Sequence, residues 1–191
     1  CQDLGDYFVI NVSSPNTAGL RSLQSEAELT AIVQPLQAAN HARKPLLVKI
    51  APDLSFAEID QVLAVCISQQ VSGIIATNTT TSRAGLNTTK YRDEAGGISG
   101  QPLQQRSTQI IQYIYRATQG QMPLIGVGGI NSAESAWQKL SAGASLLQVY
   151  TGLVYHGLAL NRQILQGIIA KMRSLGLQNI REAVGCGLPF S

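Results

Sequence analysis

Five times along the chain, a short and nearly continuous apolar run is followed by a segment whose apolar residues recur at helical intervals. Strands apolar on both faces belong in a parallel sheet covered by helices, and the intervening helices are the crossovers that such a sheet requires. The runs are Tyr7-Phe8-Val9-Ile10-Asn11-Val12, Leu46-Leu47-Val48-Lys49-Ile50, Gly73-Ile74-Ile75-Ala76-Thr77, Pro123-Leu124-Ile125-Gly126-Val127 and Leu146-Leu147-Gln148-Val149. Ser-Ser-Pro-Asn ends the first and Ala-Pro-Asp the second, both turn-forming. Ser25–Glu28 and Ser55–Glu58 have capping-box spacing. They precede Leu29, Ile32, Val33 and Leu36, and Ile59, Val62, Leu63, Cys66 and Ile67, on helical stripes. Ile110, Ile111 and Ile114 mark a third helix and a fourth starts near Ser132. The last carries Leu160, Ile164, Leu165, Ile168 and Met172, with Gly176 at the place of a C-terminal cap. Five such units fit either an open doubly wound sheet or part of a (β/α)8 barrel, and composition does not choose between them.

Composition narrows the functional classes. Charged residues make up 13% of the 191 residues and hydrophobic ones 45%, against about 25% charged in average soluble chains. Disorder requires the opposite balance. Cys1, Cys66 and Cys186 are too few and too far apart for a disulfide scaffold. No uninterrupted apolar run approaches the roughly 18 residues of a membrane span. A scattered net charge of +3 gives no footprint for nucleic acid. No linker divides residues 1–191, so one domain is expected. The first strand follows Cys1 so closely that the chain reads as one that has lost its front.

The polar residues gather just after the strands, where both candidate folds place their sites. Asn11-Val12-Ser13-Ser14-Pro15-Asn16-Thr17 brings amides and hydroxyls to a rigid turn, and by itself it equally fits an Asx- or ST-turn. No G-x-S-x-G elbow makes Ser14 a nucleophile. Lys49 interrupts an apolar strand and is expected to face the mouth of the sheet, because an unpaired buried ammonium is costly. Thr77-Asn78-Thr79-Thr80-Thr81 repeats the hydroxyl and amide chemistry after the third strand. Gly96-Gly97-Ile98-Ser99-Gly100 lies in the long connection from about Asn78 to Gln104, a length that usually carries function. Gly126-Val127-Gly128-Gly129 leads from strand to helix and Tyr150-Thr151-Gly152 follows the last strand. Glycines there let a phosphate reach backbone amides. Asn131 stands where a dinucleotide fingerprint would have its third glycine. His41 and His156 lack metal-ligand spacing and read as surface or helix-end residues. Trp137, Met172 and Cys66 read as packing.

Taken in order, Asn11–Thr17, Val48-Lys49-Ile50-Ala51-Pro52-Asp53, Ala76-Thr77-Asn78-Thr79, Gly97-Ile98-Ser99-Gly100, Gly126-Val127-Gly128-Gly129 and Gln148-Val149-Tyr150-Thr151 closely resemble dihydroorotate dehydrogenases of the quinone-linked class 2. Each motif is weak alone, and six in register are specific. The resemblance implies a (β/α)8 barrel, of which this chain supplies about the last five βα units. It also implies FMN as cofactor and the oxidation of dihydroorotate to orotate in pyrimidine biosynthesis, with quinone as final acceptor.

Residue by residue, it implies that Ser14 is the catalytic base and that Thr17 helps it shed a proton. Asn11, Asn16, Asn78 and Thr79 would surround the orotate, with Asn11 also touching flavin. Lys49 and Thr77 would contact the flavin ring. Gly100, Gly128, Gly129, Tyr150 and Thr151 would hold the FMN phosphate and ribityl chain. Serine rather than cysteine as base implies the quinone class, and with it peripheral attachment to a bacterial cytoplasmic or mitochondrial inner membrane through segments outside this chain. The same reading expects three barrel strands outside these 191 residues and a chain that binds FMN poorly by itself. The alternatives are another FMN-dependent barrel acting on pyrimidines, a phosphate-binding barrel without redox chemistry, and an inactive fragment.

Overall fold

The computed structural model describes residues 4–86, 90 and 92–188; Cys1 lies outside them. Five parallel strands form one sheet in sequential order: β1 (Phe8–Asn11), β2 (Leu46–Ile50), β3 (Gly73–Ala76), β4 (Leu124–Val127) and β5 (Leu146–Gln148). Each neighbour pairs in parallel, so every strand follows the previous one around the sheet. A sequential order is what a barrel wall has, whereas a doubly wound sheet reverses at a switch point. The crossovers are α1 (Glu26–Ala39), α2 (Phe56–Ser68), α3 (Gln104–Ala117) and α4 (Ala133–Ser141). They are followed by α5 (Thr151–His156), α6 (Ala159–Ser174) and α7 (Ile180–Ala183).

The sheet separates two apolar layers. Outward-facing Leu46, Val48, Ile50, Ile74 and Leu124 pack with Leu29, Val33, Ile59, Val62, Ile110, Ile111 and Ile114 from the helices. Burying one such side chain contributes roughly 1.5–3 kcal/mol. Trp137, Leu140, Leu160, Ile164, Ile168 and Ala183 form a second cluster at the β5 end. The inward face is thinner: Leu47, Ile75 and Ile125 are buried together, with Val127 against them. The two edge strands leave their inward-facing residues uncovered, Val9 at 38% and Leu146 at 62% exposure.

Several local expectations change in three dimensions. Ser55 and Glu58 form the reciprocal capping box, but Ser25 makes no side-chain cap bond at the start of α1. There the chain arrives through a 3-10 turn over Leu20–Gln24 that the periodicity did not mark. Ser132 caps α4 through Ser135, a pair with no acidic signature. Tyr150-Thr151-Gly152, which follows the last strand, is the entry into the short helix α5, an element the periodicity did not mark. Leu36, Ile67 and Leu165, assigned to buried stripes, are exposed. Gly176 ends α6 as expected, its φ of 72° and the Leu177 N–H to Met172 carbonyl bond closing a Schellman motif. No helix among the described residues is long and apolar enough to cross a membrane.

Candidate active site

At the C-terminal ends of the strands lies a cavity of about 740 Å³, within the usual range for a small-molecule site. Its wall is built in strand order. Lys49 comes from β2; Thr77, Asn78 and Thr79 follow β3. Ser99 and Gly100 belong to the long connection, Gly128 and Gly129 follow β4, and Gln148, Tyr150 and Thr151 come from β5 and its exit. Tyr155 and His156, on α5, complete the rim. Lys49 sits on the inward face beside Asn11 in the β1–β2 register. It is half-buried without an ion-pair partner among the described residues, and burial pushes its ammonium below the usual lysine range.

The glycine loops are shaped to leave backbone uncovered. Gly100, Gly128 and Gly129 all have positive φ, at 80°, 115° and 73°, which L side chains rarely adopt. A Cβ at Gly129 would stand 2.3 Å from Cβ of Gln104, and one at Gly128 would stand 2.8 Å from the Ser107 hydroxyl. The β4 exit is therefore pressed against the start of α3 on one side and open to the cavity on the other. Thr151 donates to the Ser99 hydroxyl at 2.7 Å, which ties the long connection to the β5 exit. Amide groups over a helix entry, next to an unpaired lysine, suit a phosphorylated planar cofactor.

Beside this wall stands the loop after β1. Asn78 Nδ2 donates to Asn11 Oδ1 at 3.2 Å and to the Ser13 hydroxyl at 3.1 Å, while Ser13 donates to Asn11 at 3.1 Å. Ser13 is fully buried and orients both amides. The Ser14 hydroxyl accepts the Asn16 N–H at 3.3 Å. The side-chain N–H groups of Asn11 and Asn16 have no protein partner among the described residues and are available to a ligand. Thr17 is exposed and no hydrogen bond joins it to Ser14. Asn11 thus adjoins the cavity wall through Asn78, and none of Asn11, Ser14, Asn16 and Thr17 lines the cavity.

Arg21 holds the three loops together. Its guanidinium donates to the Ser13 carbonyl at 3.3 Å, to Asp53 at 2.6 Å and to the Thr79 carbonyl at 2.8 Å. Asp53 also accepts the Thr80 hydroxyl and the Thr81 N–H. Burial alone would raise the Asp53 carboxyl; the bonds from Thr80, Thr81 and Arg21 outweigh it and hold it below the ordinary carboxylate value. Gln24 joins the same knot, its buried amide accepting the Ala51 N–H at 2.9 Å. From outside, Arg106 bonds the Pro52 and Leu54 carbonyls. The long connection is laced back by the Thr80–Ile98 bridge and by Arg83, which donates to the Glu94 and Gly96 carbonyls.

Comparison with known proteins decides the family. The family model for dihydroorotate dehydrogenase matches residues 1–172. The chain belongs to the dihydroorotate dehydrogenase family. It is 53% identical over 191 residues to a dihydroorotate dehydrogenase (quinone) of Nostoc punctiforme, covering 96% of this chain and 51% of that protein. It is 54% identical over 191 residues to the protein of the same name from Synechococcus elongatus, covering 96% and 50%. Among solved structures, the dihydroorotate dehydrogenase of Eimeria tenella in complex with ferulenol superposes with a TM-score of 0.91 at 34% identity. That match covers 95% of this chain and 54% of the other. The chain spans about half the length of the curated relatives it matches. Its five βα units therefore have the structure of part of the (β/α)8 barrel of this family.

Within a dihydroorotate dehydrogenase fold, the β2, β3, β4 and β5 exits and the Gly100 turn converge on one cavity, as the motif order implied. Arg21, Ser13, Gln148 and Lys139 were not singled out in the sequence. An arginine eight residues beyond the Ser13 carbonyl and a lysine in a helix carry no motif, and their roles arise from where the chain returns. His156, read as a helix-end residue, ends α5 and also faces the cavity rim.

Proposed function

We propose that this chain forms the flavin- and substrate-binding wall of an enzyme that oxidises dihydroorotate to orotate, with FMN as hydride acceptor and quinone as final acceptor. The observation that carries the reading is the junction of two unlike surfaces. A glycine-lined cavity with the unpaired Lys49 meets a cluster of free amides and a hydroxyl at Ser14. The glycine cradle fits FMN: Gly100, Gly128 and Gly129 would take the phosphate end with Thr151 and Tyr150, and Lys49 and Thr77 the ring. When bound, FMN supplies the two-electron acceptor that amino-acid side chains lack.

The chain's own residues do the rest. Asn11, Asn16, Asn78 and Thr79 pair with the amide and carboxylate edges of the pyrimidine: the Asn11 and Asn16 side-chain N–H groups donate, while Asn78, whose N–H groups are held by Asn11 and Ser13, accepts through Oδ1. Ser14 takes the proton from the substrate's C5, and Thr17 helps pass it to water. A serine hydroxyl is a weak base in water, so Pro15 and the long connection must enclose it. A Cβ at Gly97 would overlap Thr79 and press on Pro15, so that connection already lies against the base loop. Lys49 stabilises the negative charge that accompanies hydride transfer. Tyr150, Val154, Tyr155 and Leu158 form an exposed apolar rim beside the cavity, which suits a lipophilic acceptor delivered from a membrane surface.

Ser14→Ala in the intact flavoenzyme is expected to lower kcat for dihydroorotate by about 10²–10⁴-fold while the flavin stays bound. Steady-state kinetics with a quinone acceptor, alongside the flavin absorbance of the purified protein, measure both. Full activity of Ser14→Ala would remove Ser14 from the mechanism. Oxidation of dihydrouracil in preference to dihydroorotate would move the enzyme to a different pyrimidine.

A further inference from the structure

Lys139, on α4, is completely buried. Its ammonium donates to the Gln104 carbonyl at 2.7 Å and to the Ser107 and Thr108 hydroxyls, all in the first turns of α3. No carboxylate among the described residues lies within ion-pair distance of it. A buried cation satisfied by neutral oxygens alone is unusual, because the desolvation of the charge is not repaid by a counter-charge. Its neighbour on the other side is the phosphate cradle. Ser107, which accepts from Lys139, has its one hydroxyl hydrogen shared between the Gly128 and Gln104 carbonyls, each at 3.2 Å, and Gly129 is pressed against Gln104.

Resting on the flavin reading above, we infer that Lys139 is the buried counter-charge of the cofactor's phosphate. It acts through space and through the Ser107–Gly128 relay without touching the ligand. The ligand class it selects is a phosphate monoester dianion at the Gly128–Gly129 turn. Burial lowers the Lys139 ammonium to about 7 in the ligand-free protein, so a dianion arriving beside it also restores its proton. The surrounding charges do not compete for this role. Of the elements packed on α4, α3 carries Arg106, Arg116 and the titratable Tyr113 and Tyr115, β5 carries none, α6 carries Arg162, Lys171 and Arg173, and α7 carries Arg181 and the single acid Glu182, which caps α7 at Asn179. Glu134, on α4 itself, is exposed in the first turn. The segment 185–187, which bonds the Leu140 and Ser141 carbonyls, has no charged residue.

Binding and protonation are linked reciprocally, so one factor governs both. A unit charge acting over a short relay at intermediate dielectric is worth about a tenfold change in affinity. Isothermal titration of the cofactor-free intact protein with FMN and with riboflavin measures it. Lys139→Met is expected to weaken FMN about tenfold and to leave riboflavin within about twofold. The same coupling is visible without mutation, which covers a variant that fails to fold. By lysine-selective NMR, inorganic phosphate or FMN should raise the wild-type Lys139 titration midpoint by about one pH unit. Equal losses of FMN and riboflavin, or a midpoint that phosphate leaves in place, would overturn the counter-charge role while the flavin reading stands. A wild-type protein that takes neither FMN nor phosphate would overturn both.

Discussion

Arg21 is the residue whose contacts reach furthest. One guanidinium joins the loops after β1, β2 and β3, and those loops present Ser14, Asp53, Asn78 and Thr79. Arg21→Lys should keep the charge but lose the fork that serves three acceptors at once. The expected signature is a fall in kcat larger than any rise in KM. Asp53 has a folded carboxyl held below its unfolded value. Its contribution to stability is therefore present above about pH 4 and is lost as pH falls through the depressed value. Asp53→Asn should flatten the acid limb of melting temperature against pH and leave the neutral region with a constant offset. Lys139 moves stability in the same direction with pH, over a higher range. Its value falls from lysine's usual 10.5 to about 7 on folding, so between these limits the unfolded chain binds the extra proton and stability of the cofactor-free protein rises with pH. Urea unfolding at pH 7 and pH 9 should show that rise in wild type and lose it in Lys139→Met.

Helix ends show how far local signals reach. Ser25 and Ser55 carry the same spacing to a glutamate, yet only Ser55 closes the box. Ser55 leaves an ordinary strand–loop and is free to turn its hydroxyl onto the Glu58 N–H. Ser25 follows the 3-10 turn that Arg21 and Gln24 dock onto the β2 exit, and its backbone N–H bonds the Ser22 carbonyl. Ser55→Ala should cost about 1 kcal/mol in chemical denaturation, and Ser25→Ala a few tenths at most. A similar contrast holds at C-termini. Gly143 ends α4 in the left-handed region, while Gln70 and Gln119 do the same after α2 and α3 at φ of 53° and 51°. Glutamine gives no sequence signal for such a cap. The Val71 to Cys66 and Gly120 to Tyr115 bonds, formed by packing against the sheet, hold it there.

At the scale of the molecule, the sheet has two free edges and a partly uncovered inner face. β3 is buried at every position, whereas β1 buries only Ile10 and β5 buries no residue fully. Unpaired strand edges with apolar neighbours are templates for association. These 191 residues expressed alone should therefore self-associate and bind a hydrophobic dye. Val9→Lys with Leu146→Lys should shift the size-exclusion profile toward monomer. We further propose that such a preparation binds FMN weakly, since the cavity wall is closed on the β2-to-β5 side and the β1 edge carries free amides. Stoichiometric flavin retained through gel filtration would count against that.

The order of strands and helices, the central apolar layer and the glycine turns were readable in the sequence because they depend on nearest-neighbour chemistry: period, capping and the φ that a side chain forbids. The resemblance carried by the six motifs implied one site fed by all five strand exits; the tertiary structure gathers those of β2 to β5 around one cavity and leaves the β1 loop out of its lining. Spacing could not distinguish an open sheet from a barrel wall, since a βα unit is locally the same in both; the sequential strand order decided it. Nor could spacing show that Leu36, Ile67 and Leu165 face outward, because a stripe's outer margin depends on how closely the next helix approaches. Arg21, Ser13 and Lys139 became visible only when distant segments met. Their partners lie as far as 60, 65 and 35 residues away in the chain, and a hydrogen bond or a buried charge is defined by the far group as much as by the near one.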